Sequence, residues 1–369
     1  MTDRVCRWGI LGAALIAHKN WKAIRNASAC ELGAVASRDL SRAEQFVDRC
    51  QADAPFAQKP RALGSYEELL ADPSIDAVYL PLPTGARTAW VIKAAEAGKH
   101  ILCEKPVGKD ATEVGEILDV CRKHNVQFMD GVMFMHSQRL DAIRQVLDDG
   151  QSVGRIKRIT SQFSFGGSDE FLQENIRMHS NLEPLGCLGD LGWYNLRFTL
   201  WIMREQLPKA VSGRLLAQQA GQGSPEPIPT EFSGELLYPD GVSAGFYCSF
   251  LTEHQQWANI SGTRGYVHVR DFVLPFFAPE LRFEVSNSVF NIQCCDFNME
   301  DHTRQVAVTE YGNANANAQE SRMFEAFARL VLAGQIDPSW GQISMNTQRV
   351  LDACLRSARA GGVQVELEA

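Results

Sequence analysis

Gly9-Ile10-Leu11-Gly12-Ala13-Ala14-Leu15-Ile16-Ala17 reads as the end of an apolar strand, a tight turn and the start of a helix. Gly12 stands at the tight-turn position of a dinucleotide-binding fingerprint, and Ala14 and Ala17 stand where its second and third glycines are usual. Alanine at the second position holds a pyrophosphate slightly further from the backbone without forbidding it. Outward from this stretch the pattern repeats. Strands read over 5–11, 31–37, 77–80, 101–104 and 127–131, with helices over 16–25, 41–50, 66–70, 87–97 and 112–124. Ser65 is a good N-cap for the short helix that follows it. Repeated strand–helix–strand units of this length predict an open parallel sheet with helices on both faces, its ligand at the C-terminal strand ends.

After about residue 133 the pattern changes. Residues 155–165 alternate like a sheet strand. Strands at 232–238 and 243–250 flank the turn Pro239-Asp240-Gly241, and strands at 256–261 and 265–269 flank Gly262-Thr263-Arg264. The stretch 218–229, rich in Gly, Pro and Gln, reads as an exposed loop. Met323, Phe324, Phe327, Leu330 and Val331 recur at helical spacing, and 341–360 reads as a further helix. The expectation is an α/β protein, with a nucleotide-binding domain over 1–131 and a second domain over 132–369 built on a large, mostly antiparallel open sheet.

Bulk properties narrow the function. The 369 residues are 45% hydrophobic and 22% charged, as in soluble globular proteins. A net charge of −8 with no basic stripe argues against nucleic acid, though local clusters still bind an anionic cofactor. No apolar run approaches membrane-spanning length. The ten cysteines are scattered without a Cys-x-x-Cys pair, mostly in apolar stretches, and read as buried reduced thiols. With a first strand beginning almost at the N-terminus and no signal peptide ahead of it, the expected location is cytoplasmic. Eight scattered histidines without a ligand motif predict no metal site.

The chemistry is carried by two further segments. Gly98-Lys99-His100-Ile101-Leu102-Cys103-Glu104-Lys105-Pro106 is a strand that ends in a lysine at the ligand side of the sheet, with a proline that stops it. Gly189-Asp190-Leu191-Gly192-Trp193-Tyr194 places an acid and a phenol four residues apart, on one helical face. Lysine, aspartate and tyrosine are the parts of a proton relay for interconverting an alcohol and a carbonyl. Free tyrosine titrates near ~10, and a neighbouring ammonium lowers that value and stabilises a developing alkoxide. Glu104 should point away from Lys105 and serve structure. From spacing alone, Tyr194 reads equally as a core aromatic beside Trp193, Phe198 and Trp201. His136, Arg139, Arg177 and His179 are further polar candidates for the substrate side, His179 the best of them. At the end of the second strand Ser37-Arg38 replaces the acid that binds a ribose 2′-hydroxyl in NAD sites. A hydroxyl and a guanidinium suit a 2′-phosphate, so NADP is expected over NAD, with NAD possible. Asp39 reads as the cap of the next helix.

The chain resembles the Gfo/Idh/MocA family over nearly its whole length. The resemblance rests on Gly12-Ala13-Ala14, Ala36-Ser37-Arg38-Asp39, Pro81-Leu82-Pro83-Thr84, Gly98-Lys99-His100, Glu104-Lys105-Pro106, Met129-Asp130-Gly131-Val132-Met133 and the segment ending in Tyr194. Asp190-x-Gly192-x-Tyr194, where many members carry histidine, resembles the branch of glucose–fructose oxidoreductase, dimeric dihydrodiol dehydrogenase and NADP-dependent xylose dehydrogenase. The resemblance implies a Rossmann domain and a C-terminal α/β domain whose open sheet forms a homodimer or higher oligomer. It implies cofactor contacts from Gly12, Ala13, Ala14, Leu15, Ile16, Ser37, Arg38, Pro81, Pro83, Thr84, Glu104 and Lys105. Catalysis falls to Lys105, Asp190 and Tyr194, which with His179 also touch the substrate: a sugar, a polyol or a dihydrodiol. One departure is Arg87, where the family often has histidine; it reads as the exposed start of a helix. A non-catalytic NADP(H)-binding sensor, and an enzyme of transient oxidation that retains its nucleotide, are the alternative functions.

Overall fold

The computed structural model describes residues 4–367, and its chain sorts into two compact units. One gathers the stretch up to His136, His179–Pro184 and Gly312–Arg349; the other gathers Ser137–Met178, Leu185–Tyr311 and the stretch from Val350.

In the first unit β1 (Cys6–Leu11), α1 (Leu15–Asn26), β2 (Cys30–Ala36), α2 (Leu40–Asp53), β3 (Arg61–Leu63), α3 (Tyr66–Ala71), β4 (Ala77–Leu80), α4 (Thr84–Glu96), β5 (His100–Cys103), α5 (Ala111–Lys123) and β6 (Phe128–Asp130) follow one another. The six strands form a sheet in the order β3-β2-β1-β4-β5-β6, all pairs parallel. Every residue of β4 is buried, as expected of a parallel strand covered on both faces. Side-chain caps start the helices where the sequence offers them: Asp39 accepts from Ser41 N at 2.9 Å, as read, and Ser65 from Glu68 N at 3.1 Å. Three-residue β3 escaped the sequence reading because it is too short to show a period.

The second unit holds α6 (Gln138–Asp148), β7 (Ile156–Ser164), α7 (Asp169–Glu174), α8 (Trp193–Ile202), β8 (Ala210–Gln219), β9 (Ile228–Leu237), β10 (Ser243–Ser249), β11 (Gln255–Gly262), β12 (Tyr266–Val269), β13 (Leu281–Ser286), β14 (Val289–Gln293), β15 (Asp296–Glu300) and β16 (Thr303–Val308). After them come α9 (Gln319–Ala333), α10 (Ser339–Arg359) and β17 (Val365–Glu366). Nine strands make one sheet in the order β16-β13-β12-β11-β7-β10-β9-β8-β17, and only the β7–β10 pair is parallel. Both predicted hairpins are present. The loop expected over 218–229 is shorter: Gln218 and Gln219 pair with Pro229 and Ile228. Ile228 is fully buried, so its side chain overrides the turn-like composition around it.

In β7, Ile159, Ser161 and Phe163 are buried while Arg158, Thr160 and Gln162 are not, so one sheet face is covered and the other open. The open face forms a trough of about 690 Å³ lined in part by Trp257, Tyr266, His268, Arg270 and Phe276. The β14–β15 ribbon pairs Phe290 with Met299 and Ile292 with Phe297, setting four apolar side chains on one face, all exposed. Cys294 and Cys295 at its turn are exposed too, which corrects their expected burial. A turn residue such as Cys294, with φ at 57°, follows the ribbon out of the core.

The core of the first unit is closed by α9, which comes late in the sequence. Trp8 of β1 meets Phe324 edge-on at 4.9 Å and Phe327 at 5.1 Å, and Tyr79 of β4 meets Phe324 at 5.7 Å. Lys19 of α1 pairs with Glu320 at 2.5 Å. The helical period read at 323–331 is therefore the face that covers the parallel sheet.

Candidate active site

The nucleotide end of the first unit is built by three strand ends. Gly12 has φ at +120°, and a Cβ there would come within 3.2 Å of Leu82 and 3.6 Å of the Tyr66 hydroxyl, so the turn accepts only glycine. Its N–H donates to Ala36 O at 2.9 Å, tying the end of β1 to the end of β2. Ala14 precedes α1 and supplies no side-chain cap, which leaves first-turn N–H groups for an anionic ligand. Leu15 beside it is 87% exposed.

At the end of β2, Ser37 is buried and Arg38 exposed. Arg38 and Arg42 both act on the phenol of Tyr66, countering the burial that raises its pKa. Two guanidiniums thus share this corner. Arg42 was missed in the sequence, although its place four residues after Arg38, at the start of the helix that Asp39 caps, was a legible signal. Gly12, the uncapped helix and the Ser37–Arg38–Arg42 corner fit a dinucleotide with a 2′-phosphate.

At the end of β5, Glu104 is held by Tyr79, whose hydroxyl donates to Oε1 at 2.6 Å, and by the Lys105 N–H at 3.3 Å. Burial first, and then the Glu104 charge, pushes the Tyr79 phenol well above its usual pKa, so it stays a donor. Lys105 is half-buried, and its peptide bond to Pro106 is cis.

Arg87 corrects an expectation. It is only 2% exposed and is no surface helix start. Because α4 begins at Thr84, Arg87 lies in its first turn, turned inward. Its Nε donates to Leu82 O at 3.1 Å, and Nη1 to Thr84 Oγ1 at 3.2 Å and to Pro106 O. Thr84 in turn donates its hydroxyl to Glu183 Oε2 at 2.5 Å and its N–H to Glu183 Oε1 at 3.1 Å. Glu183 was missed, and no local signal joins it to a residue 99 positions away. It lies in the short stretch that also carries His179, whose carbonyl accepts from the N–H groups of Leu182 and Glu183.

Asp190 and Tyr194 belong to the second unit. Asp190 sits in a π-helical turn, Leu188–Gly192, that runs into α8, and it pairs with Arg177 Nε at 2.9 Å. Tyr194 is 6% exposed and meets Phe163 of β7 edge-on at 5.7 Å. Other sequence candidates serve packing. Arg139 is buried against Asp271 at 2.5 Å, and His136 stacks on Trp340 at 4.9 Å. Among the described residues no three His, Cys, Asp or Glu side chains converge as a metal site, and no helix is long and apolar enough to cross a membrane.

Residues 6–132 match the model of an oxidoreductase family with an NAD-binding Rossmann fold, GFO/IDH/MocA, and residues 140–268 match that family's C-terminal domain. The chain belongs to this family. A D-xylose 1-dehydrogenase (NADP(+)) of Haloferax volcanii is 31% identical, over 98% of this chain and 99% of the relative. Trans-1,2-dihydrobenzene-1,2-diol dehydrogenase of Mus musculus is 31% identical over 73% of this chain and 76% of its own. Among solved structures, KijD10, a 3-ketoreductase from Actinomadura kijaniata in complex with NADP and TDP-benzene, shares the fold with a TM-score of 0.78 at 22% identity, over 96% of this chain and 98% of that one. The parallel sheet of the first unit is the Rossmann sheet of a GFO/IDH/MocA oxidoreductase, and the match to the family's C-terminal domain covers α6 to α8 and the strands from β7 into β12 of the nine-stranded sheet.

Proposed function

We propose that the protein is an NADP(H)-dependent dehydrogenase or reductase acting on a hydroxyl or carbonyl of a sugar, polyol or dihydrodiol. The observation that carries the cofactor choice is the corner at the end of β2, where Ser37, Arg38 and Arg42 stand and no acid claims a ribose 2′-hydroxyl. The relatives named above, a xylose dehydrogenase and dihydrodiol dehydrogenase, support the substrate class. Bound nicotinamide supplies or accepts the hydride. The Gly12 turn and the N-terminus of α1 hold the pyrophosphate, and the arginine corner holds the 2′-phosphate. Lys105 stabilises charge that develops on the substrate oxygen, Tyr194 passes that oxygen its proton, and Asp190 with Arg177 orients substrate hydroxyls.

The test is a screen of NADP⁺ and NAD⁺ reduction against aldopentoses, aldohexoses, inositols and trans-dihydrodiols, with mass spectrometry of any nucleotide released on denaturation. Turnover with NADP⁺ on one of these classes supports the proposal. Activity only without net NADPH formation points to transient oxidation, and no activity with any of them points to a sensor.

The second unit carries oligomerisation in this reading. A lone two-stranded ribbon with an apolar face is marginal in water, and the open sheet face adds an aromatic trough. A second copy of the chain covers them, and light scattering at micromolar concentration should return at least a dimer. Unbridged thiols fit a reducing compartment such as the cytoplasm.

A further inference from the structure

The first unit contains a bridge of three side chains, of which only Thr84 has a role above, as an expected cofactor contact. Arg87 donates to Thr84 Oγ1, and that same hydroxyl donates to Glu183. The hydroxyl has one proton, so accepting from the guanidinium and donating to the carboxylate fixes its direction. The result is an ion pair joined through a hydroxyl, with Arg87 2% and Thr84 1% exposed. Such charge-assisted bonds are short and directional, and a buried guanidinium left without acceptors is costly.

Each end of the bridge grips a different piece of chain. At the arginine end Nη1 donates to the carbonyl of Pro106, the residue after Lys105, and Nε to Leu82 at the end of β4. At the glutamate end both carboxylate oxygens sit on Thr84, across the first turn of α4, where Pro83 provides no side-chain cap. There the stretch His179–Pro184 lies so close that a Cβ on Gly85 would fall 1.9 Å from Asn181 O, while Gly85 N donates to Leu182 O at 2.9 Å. A second tie fixes the far side of the Lys105 turn: Lys109 N and the Thr88 hydroxyl both donate to Glu113.

We propose that Arg87, Thr84 and Glu183 form a positioning bridge that sets the Lys105–Pro106 turn and the His179–Pro184 stretch against the start of α4 as one rigid frame. Its catalytic consequence rests on the role given to Lys105; its mechanical content does not. Glu183 holds Thr84, and through Thr84 and Arg87 it is linked to the Pro106 carbonyl.

The experiment uses the full chain with Glu183→Gln, Arg87→Lys, Arg87→Met and, in parallel, Lys105→Met. Amide hydrogen exchange is read by mass spectrometry, and kcat and KM are measured on the best substrate of the screen. Glu183→Gln keeps the shape of the side chain and removes its charge. It should speed exchange at least tenfold at Leu182 and Glu183, whose N–H groups donate to His179 O, and also at Val107 and Gly108. Arg87→Met should do the same at both places and lower kcat more than it raises KM, and Arg87→Lys should restore part of each effect. Unchanged exchange at Val107 and Gly108 in Glu183→Gln overturns the bridge, even if Arg87→Met unfolds. Normal turnover in Lys105→Met removes the role of Lys105 and leaves the exchange result to decide the bridge by itself.

Discussion

At the residue scale, the proposed choice of NADP over NAD rests on Arg38 and Arg42, the two arginines that act on Tyr66. In the proposed site each meets the 2′-phosphate, and a bond to a charged group contributes about 1.5 kcal/mol or more, roughly tenfold in affinity. Arg38→Ala and Arg42→Ala should each weaken NADP(H) binding by about tenfold and leave NAD(H) binding nearly unchanged, as read by tryptophan fluorescence. Equal losses for both nucleotides would show that the arginines hold structure instead. Tyr194→Phe removes one hydroxyl from a buried ring packed on Phe163. It should leave the melting temperature and cofactor affinity close to normal and lower turnover by roughly two to four orders of magnitude, the usual size of a general acid–base contribution. Near-normal turnover would return Tyr194 to the packing role that its spacing equally suggested. Sequence revealed Arg38 because it stands where an acid is usual. It hid Glu183, whose partner is remote, and it misjudged Arg87, because a charged residue near a helix start reads as solvated until the carbonyls that surround it are known.

At the element scale, β5 owes its place to a histidine as well as to its apolar run. Gln127 N, just before β6, donates to His100 Nδ1 at 2.9 Å, so the ring must stay neutral at that nitrogen. Burial lowers the His100 pKa, against the pull of Asp76. The sign follows from linkage: the unfolded chain binds the proton more tightly than the folded one. The stabilisation is present above the unfolded value near ~6.5 and is lost as pH falls through the lower folded value. Thermal melts between pH 7.5 and 5.5 should show a falling midpoint, and a shallower fall in His100→Asn, which keeps an acceptor and does not titrate. An unchanged slope would mean that the ring is not held neutral. Elements of the first unit were legible because each parallel strand is a short apolar block between helices of clear period. In the second unit β8, β13, β16, β17 and the β14–β15 ribbon were not read. The ribbon's alternating apolar residues face outward, where burial gives no guide, and β8 begins apolar but ends in exposed glutamines.

At the scale of the whole molecule, the nucleotide-binding unit is not one continuous piece of chain. Its core needs Met323, Phe324, Phe327 and Val331 from α9 over Trp8 and Ile10. A fragment ending at residue 136 should therefore bind a hydrophobic dye and melt without a cooperative transition. The same fragment with 312–349 attached through a flexible linker should recover one. A cooperative melt of the shorter fragment would show that α9 is dispensable. The helical period of α9 was visible in the sequence, but nothing in it said which sheet the helix covers, because that depends on contacts some 300 residues apart. The same threading bears on how such enzymes are recombined. Exchanging cofactor preference between relatives by joining genes at the end of β6 would graft a foreign sheet beneath a resident α9, mismatching Trp8 with its covering phenylalanines. A chimera that keeps a matched interior has to carry its donor's sequence in three places, including the six residues from His179 to Pro184.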